Sequence, residues 1–343
     1  MRIGVLTGGG DAPGLNAAIR GVTRRALEGG DLVVGIKNGW AGLMGQGDTT
    51  LLTPRAVDPI LQLGGTILGT SRTNPLKNPL HLQEVLDNVR ALDLDALAPI
   101  GGDDTLSVAY ELHRRGVKVV GIPKTVDNDL PETEYCIGFD TAISIVAEAL
   151  DRLHTTASAH HRVLVVEVMG REAGWVALKG GIAGGAELIL IPEVPIDLDY
   201  VCATLKRHRS QGKDSSIIVV AEGVELPEAL GAEGAEEVDA FGHVRLDRRG
   251  VGDALARYLE KRTGYETRVT VLGHLQRGGT PTAYDRIMAT RCGVAAVDLL
   301  REGKFGYLAA VRCEEIHPVP LEKVVGHVRT VDPALYEIAR VFF

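Results

Sequence analysis

Two adjacent aspartates, Asp103 and Asp104, follow an apolar run and two glycines in the stretch "PIGGDDT", residues 99 to 105. Mg²⁺ in phosphoryl-transfer sites takes one or two protein carboxylates together with phosphate oxygens of the substrate. Asp103 is placed for that role, and Thr105 is a candidate cap for a following helix. The same pattern is also typical of a helix N-terminus that carries acids for electrostatic reasons. One aspartate therefore predicts a metal ligand, and the second requires its own explanation.

A second group of polar residues occurs in "PKTVDND", residues 123 to 129, where Lys124 and Thr125 precede Asp127 and Asp129. In an extended segment, residues two apart point to the same side, so the two carboxylates can share one face. Such a face can supply a general base and an orienting or metal-linked carboxylate. A short Asx turn without catalytic function is the alternative.

The stretch "TGGGDAPGLNAAIRG", residues 7 to 21, places Gly10 in a glycine-rich segment between a predicted strand and a predicted helix. Glycine lets backbone N–H groups approach an anion, and a helix N-terminus adds partial positive charge. A tight turn with no ligand remains possible, and no Walker lysine pattern follows. Arg72, in "SRTNPLK", could clamp a phosphate through its planar guanidinium or could be a solvated surface residue.

Further cations surround two later predicted strands in an otherwise acidic sequence. Arg162 and Arg171 flank "VLVVEVMG", and Arg268, His274 and Arg277 lie in "RVTVLGHLQR". Together these side chains are typical of a site that binds a phosphoester. Taken singly, an arginine is more often part of a surface ion pair, and His274 is more often structural.

Short β-rich runs alternate with amphipathic stretches such as 15–28, 82–92, 105–115, 140–156 and 251–263. This alternation predicts an α/β protein with largely parallel sheets covered by helices, and the motifs above fall at the carboxyl ends of strands, where ligands bind. The length of 343 residues favours two Rossmann-like domains with the active site in the cleft between them. We predict a first domain of residues 1–138 plus 276–305, a second of 139–275 plus 306–343, and an inserted surface loop at 223–250.

The net charge of −8 provides no basic field for nucleic acid or an anionic membrane surface. No apolar run approaches the roughly 20 residues that span a bilayer. The opening "MRIGVLTGGG" is typical of a strand and glycine loop and not of a signal peptide, so we predict a cytoplasmic protein. The four cysteines are scattered, which disfavours a disulfide framework or a zinc site.

The motifs "GGDAPGLNAAIRG", "DND", "MGREAGW" and "LGHLQRGG", in this order, closely resemble the phosphofructokinase family over about residues 1–225 and 250–320. The resemblance implies Mg²⁺-dependent transfer of a phosphoryl group to the 1-hydroxyl of fructose 6-phosphate in glycolysis or gluconeogenesis. It implies that Asp127 is the base, that Asp103 binds the metal and that Gly10 and Arg72 contact the phosphoryl donor. The residues implied to bind the sugar phosphate are Thr125, Asp127, Asp129, Arg162, Met169, Gly170, Arg171, Glu222, Arg268, His274 and Arg277. Arg162 and Arg268 match positions that reach the substrate from a neighbouring subunit, which implies a homodimer or homotetramer.

The identity of the donor is indicated by two departures from the ATP-using members, which typically read Gly-Gly-Asp-Gly and Pro-Gly-Thr. This chain reads Gly-Gly-Asp-Asp and Pro-Lys-Thr and so resembles the pyrophosphate-dependent branch. The loops that carry Asp104 and Lys124 follow consecutive parallel strands and should be neighbours. Asp104 would repel the α-phosphate of a nucleotide, and Lys124 would stabilise the phosphoryl transfer in its place. We therefore assign Asp104 and Lys124 as donor-binding and catalytic residues. With pyrophosphate as the donor, the reaction should be reversible.

Two other functions remain open on the sequence alone. One is an ATP-dependent 6-phosphofructokinase of the same fold, and the other is a non-catalytic phospho-sugar sensor. The presence of both Asp103 and Asp127 argues against the sensor.

Overall fold

The computed structural model describes residues 1–227, 230 and 250–343. Most of the loop predicted at 223–250, namely 228–229 and 231–249, lies outside the described residues. The chain divides into two compact units: unit 1 is Met1–Thr141 with Arg277–Val328, and unit 2 is Ala142–Gln276 with Arg329–Phe343.

The strands of the described residues are distributed over two sheets. In chain order they are β1 (Arg2–Thr7), β2 (Leu32–Ile36), β3 (Thr49–Leu51), β4 (Ala96–Gly101), β5 (Val120–Pro123), β6 (Val163–Val168), β7 (Leu188–Leu190), β8 (Ser216–Ala221), β9 (Thr267–Val271), β10 (Tyr307–Arg312) and β11 (Glu315–Pro320).

The helices follow the predicted alternation with strands. They are α1 (Leu15–Glu28), α2 (Pro54–Val57), α3 (Pro79–Ala91), α4 (Asp103–Arg114), α5 (Phe139–His160), α6 (Trp175–Ala183), α7 (Leu198–Ser210), α8 (Val251–Thr263), α9 (Ala283–Arg301) and α10 (Pro333–Arg340). In the part of the chain that is described, no helix is both long enough and apolar enough to cross a membrane.

Unit 1 contains a seven-stranded sheet in the order β11-β10-β5-β4-β1-β2-β3. Its inner strands pair in parallel, and β3 and β11 are antiparallel at the two edges. Helix α1 packs closely on α9, because Gly21 and Gly293 leave no side chain between them. A Cβ atom at Gly21 would lie 2.6 Å from the carbonyl oxygen of Thr290, and one at Gly293 would lie 2.5 Å from that of Ala18.

Unit 2 contains a four-stranded parallel sheet in the order β7-β8-β6-β9. Every residue of β6 and β8 is buried, which explains why these strands are almost continuous apolar runs in the sequence. Strand β9 lies at the edge, and its Val271 is 53% exposed. Both units are therefore α/β, as the sequence predicts.

The position of residues 306–328 differs from the predicted division of the chain. These residues are predicted to lie in the second domain, whereas they belong to unit 1. The reason is that β10 pairs in parallel with β5, with Tyr307 opposite Val120 and Leu308 opposite Gly121. Alternation of strands and helices reveals that a strand exists but not which sheet it joins.

Candidate functional site

The glycine-rich loop between β1 and α1 is fixed by hydrogen bonds along its length. The Gly8 amide donates to the carbonyl of Ile100 (3.0 Å), and the Gly9 amide donates to the carbonyl of Ser71 (3.0 Å). The Thr70 hydroxyl donates to the Gly9 carbonyl (2.7 Å). Gly9 has a φ of 78°, a conformation that favours glycine. Arg72, which is predicted to contact the phosphoryl donor, is exposed. It directly follows Ser71 and therefore lies beside this loop.

Lys124 places a buried ammonium group against the same loop. Its Nζ donates to the carbonyl of Gly8 (2.9 Å) and to that of Gly10, and the side chain is only 3% exposed. Burial lowers the pKa of Lys124 to about 7, and repulsion by Arg277 adds to this, while Asp11, Asp127 and Cys136 oppose it. An anion bound here would favour the protonated form. The predicted donor residues Gly10 and Lys124 are therefore in direct contact.

Asp103 and Asp104 form the first turn of α4, at the end of β4. The Lys124 amide donates to the Gly101 carbonyl (3.0 Å), so the loops after β4 and β5 are neighbours, as predicted. Oδ1 of Asp103 accepts a hydrogen bond from the Gly326 amide (2.8 Å). The suggestion that Thr105 caps the helix is wrong, because the N-cap is Gly102.

Thr105 instead packs beneath the glycine loop. A Cβ atom at Gly8 would lie 2.5 Å from its Oγ1, so Gly8 provides the space that this side chain fills.

Asp127 lies in a tight turn and not in the extended segment that the spacing suggested. Its amide donates to Oγ1 of Thr125 (3.1 Å), and Asn128 has a φ of 52°. The Asn128 side chain fixes this turn, since Oδ1 accepts from the Cys136 amide (2.8 Å) and Nδ2 donates to the Glu134 carbonyl (3.2 Å). Asp127 and Asp129 therefore flank a left-handed residue, which changes the direction of the chain between them.

The Asp127 carboxylate carries an acceptor that the described residues leave unused. Its Oδ1 is buried and has no hydrogen-bond partner among them. Buried polar atoms are rarely left in this condition. A substrate hydroxyl would supply the missing donor.

In unit 2, the segments after β6 and β8 lie together. The Gly223 amide donates to the Gly170 carbonyl (3.0 Å), and the Glu222 amide donates to the Val168 carbonyl (2.9 Å). Met169 is buried, and its amide lies 3.3 Å from Oε1 of Gln276. Because β6 and β8 pair in parallel, the predicted residues that follow them lie at the same end of the sheet: Met169, Gly170, Arg171 and Glu222. His274 is exposed in the 3₁₀ helix Gly273–Arg277.

Arg162 and Arg268 meet at a third residue, Glu266, that the sequence analysis did not single out. Their guanidinium groups contact the same Oε1 at 2.8 Å and 2.6 Å. The hydrogen bond from Arg162 is the main reason that the pKa of Glu266 lies below its usual value. Glu266 directly precedes β9 and lies two residues before Arg268. This spacing, which can place both side chains on one face of an extended segment, was the available sequence signal.

The chain is similar to a known protein family and to individual proteins along its whole length. Residues 2–300 match the family model described as phosphofructokinase. Two proteins with the name pyrophosphate--fructose 6-phosphate 1-phosphotransferase are similar along the whole chain. The protein from Dictyoglomus thermophilum is 51% identical, covering 100% of this chain and 99% of its own, and that from Streptomyces coelicolor is 53% identical, covering 100% of both.

Proteins named ATP-dependent 6-phosphofructokinase are also similar, at 45–46% identity. Among solved structures, Pichia pastoris phosphofructokinase in the T-state superposes with a TM-score of 0.81 at 32% identity. That match covers 99% of this chain but only 36% of the Pichia chain, which is much longer.

Proposed function

The chain belongs to the phosphofructokinase family, and we propose on that basis how it transfers a phosphoryl group from pyrophosphate to the 1-hydroxyl of fructose 6-phosphate. The products are fructose 1,6-bisphosphate and phosphate. The observation that carries this function is the buried ammonium of Lys124 inside the glycine loop, beside the helix turn that bears Asp104. A cation at this place stabilises the transferring phosphoryl group, and a carboxylate beside it disfavours the α-phosphate of a nucleotide.

Asp127 acts as the general base. As the sugar hydroxyl attacks the terminal phosphorus of pyrophosphate, its proton passes to the Asp127 carboxylate, the new O–P bond forms and the bond to the leaving phosphate breaks. The absence of a hydrogen-bond partner at Oδ1 among the described residues supports this role, because a general base needs an acceptor that is not already engaged. In the reverse direction the protonated carboxyl returns the proton to the departing sugar oxygen.

Mg²⁺ is the expected cofactor, with Asp103 as its protein ligand. The described residues contain no group of three or more His, Cys, Asp or Glu side chains that could hold a metal ion by themselves. A single carboxylate such as that of Asp103 fits Mg²⁺, which commonly binds to one or two carboxylates, substrate phosphate oxygens and water. When bound, the metal would neutralise charge on the phosphate oxygens.

The remaining predicted residues would bind the sugar phosphate. Thr125, Asp129 and Arg277 belong to unit 1, whereas Met169, Gly170, Arg171, Glu222 and His274 belong to unit 2. Arg162 and Arg268 would serve the site of a neighbouring copy in a homodimer or homotetramer. The active site in a cleft and the cytoplasmic location also stay predictions.

The alternative of an ATP-dependent enzyme is supported by the relatives with that name, but it conflicts with Asp104 and Lys124. A phospho-sugar sensor would explain the unused acceptor of Asp127 as a contact to a sugar hydroxyl, but it gives no role to the buried ammonium of Lys124 at the donor loop. Turnover of fructose 6-phosphate with Mg²⁺ and pyrophosphate, ATP or polyphosphate as donor tests all three functions. We expect the highest kcat/KM with pyrophosphate; a preference for ATP would overturn the donor assignment, and no turnover with any donor would favour the sensor.

A further inference from the structure

Arg277 lies across Gly10 of the phosphoryl-donor loop. A Cβ atom at Gly10 would collide with Nη1 of Arg277 and would lie 2.8 Å from its Cζ. The same Nη1 donates to the carbonyl of Asp11 (3.3 Å). Glycine at position 10 therefore provides the space in which this guanidinium rests, although the family resemblance assigns Arg277 to the sugar phosphate.

The segment that carries Arg277 is fixed within unit 1. The backbone of Gly279 packs tightly against Gly64. A Cβ atom added to Gly64 would collide with the carbonyl oxygen of Gly279. Further along, Nε of Arg286 donates to the Pro281 carbonyl (2.9 Å), and the Thr282 side chain caps α9. These contacts restrict the residues that follow Arg277 and keep its side chain near the glycine loop.

Two cationic groups thus converge on Gly10 from different elements. Lys124 donates to its carbonyl from the end of β5, and Arg277 covers its Cα from the segment before α9. Like charges repel in a partly dehydrated site, and this repulsion contributes to the lowered pKa of Lys124. A polyanion bound against both groups would convert that repulsion into attraction, and the planar guanidinium can bind two phosphate oxygens at once.

We propose that Arg277 binds pyrophosphate directly, as a phosphoryl-donor residue that acts together with Lys124 and the Gly10 loop. This inference rests on the proposed function, because it assigns a further residue to the same donor site. It differs from the role implied by the family resemblance in naming pyrophosphate, and not the sugar phosphate alone, as the ligand of Arg277.

The test is calorimetric binding of magnesium pyrophosphate to the full chain in the absence of any sugar phosphate, for wild type, Arg277→Gln and Arg277→Lys. A lost hydrogen bond to a charged group corresponds to a loss of affinity of about 10- to 100-fold, which we expect for Arg277→Gln. Arg277→Lys keeps the charge without the planar fork and should bind with intermediate affinity. Arg291→Gln removes a cation from the exposed surface of α9 in the same unit, outside the proposed site. It is the matched control and should bind pyrophosphate as wild type does.

A dissociation constant for pyrophosphate that is unchanged in both Arg277 variants overturns the proposal, even if their KM for fructose 6-phosphate rises. Such a result would confine Arg277 to the sugar phosphate and leave the pyrophosphate-dependent reaction intact. Failure of the wild type to bind or use pyrophosphate would instead contradict the proposed function. Thermal melting of each variant identifies any protein that has not folded, and the Arg277→Lys variant retains the charge if Arg277→Gln unfolds.

Discussion

The buried Oδ1 atom of Asp127 gives a direct prediction for a single residue. Asp127→Asn preserves the shape of the side chain but removes the base, so kcat should fall by about 10²- to 10⁴-fold while KM for both substrates changes little. Steady-state kinetics measure both constants. The matched control is Asp87→Asn on the exposed face of α3, which should retain wild-type kcat. A kcat for Asp127→Asn within about threefold of wild type would contradict the assignment of the base.

Asp104 and Lys124 make the choice of donor testable. An anionic phosphate within about 4 Å of Asp104 would meet repulsion of about 1 kcal/mol in water and about 4 kcal/mol at an effective dielectric constant near 20. Asp104→Gly should therefore increase kcat/KM for ATP and decrease it for pyrophosphate. Lys124→Gly should impair the pyrophosphate reaction more strongly, because it removes the cation from the loop.

The measurement is kcat/KM for both donors in the wild type and in each variant. Asp93→Gly, at an exposed turn before β4, serves as the control for loss of an acid. A donor ratio that does not move in Asp104→Gly would show that this carboxylate does not select the donor.

The lowered pKa of Lys124, about 7, predicts a pH dependence for use of the donor. The charged form is present below that pH and is lost as the pH rises through it, so affinity for pyrophosphate should fall with rising pH. The pH profile of kcat/KM for pyrophosphate reports groups of the free enzyme. Arg277→Gln removes one repelling charge and should move the Lys124 inflection to higher pH. A profile whose inflection near pH 7 is the same in wild type and Lys124→Met would contradict the assignment to Lys124.

At the scale of elements, a buried carboxylate joins the start of α5 to the start of α9. Asp285 is fully buried and accepts hydrogen bonds from the Tyr135 hydroxyl, from the Gly138 amide (2.6 Å), and from the amide and hydroxyl of Thr141 (2.8 and 2.5 Å). Ile137 lies within this segment and forms a parallel bridge with Lys124. The network therefore positions the chain beside the donor loop.

Asp285→Asn should lower the free energy of unfolding by about 1–3 kcal/mol or more, because it leaves buried donors without an acceptor. Denaturant titration measures the loss. Asp298→Asn on the same helix is the control: Asp298 pairs with Arg25 at 2.7 Å, but both side chains are 35% exposed, so we expect less than about 1 kcal/mol. Equal losses in the two variants would contradict a special role for Asp285.

The elements nearest the donor site were the most predictable from the sequence. Helix α1 begins and ends at the predicted residues, 15 and 28. Strands β4 and β5 are neighbours, as predicted, because short crossover connections restrict the topology. The turn at Asp127 could not be predicted, since it depends on Asn128 bonding to Glu134 and Cys136, which are adjacent only after folding. The position of Arg277 beside Gly10 depends on contacts across more than 260 residues of chain.

At the scale of the whole molecule, the expected assembly depends on Arg162 and Arg268. Glu266 holds both guanidinium groups at the outer edge of the unit 2 sheet, where β9 has no further strand beside it among the described residues. If Arg162 completes the site of a neighbouring copy, one chain can supply the arginine that another chain lacks. Mixing Arg162→Ser chains with Asp127→Ser chains under conditions of subunit exchange should therefore restore activity.

A mixed pair has one complete site, formed by Asp127 of one chain and Arg162 of the other, so random pairing of equal amounts should restore roughly a quarter of wild-type activity. Arg171→Ser mixed with Asp127→Ser is the matched control. The proposal assigns Arg171 and Asp127 to the same chain's site, so no mixed pair then contains a complete one. Activity of the Arg162→Ser mixture no higher than that of the Arg171→Ser mixture, after exchange has been verified by differently tagged chains, would contradict a site shared between subunits.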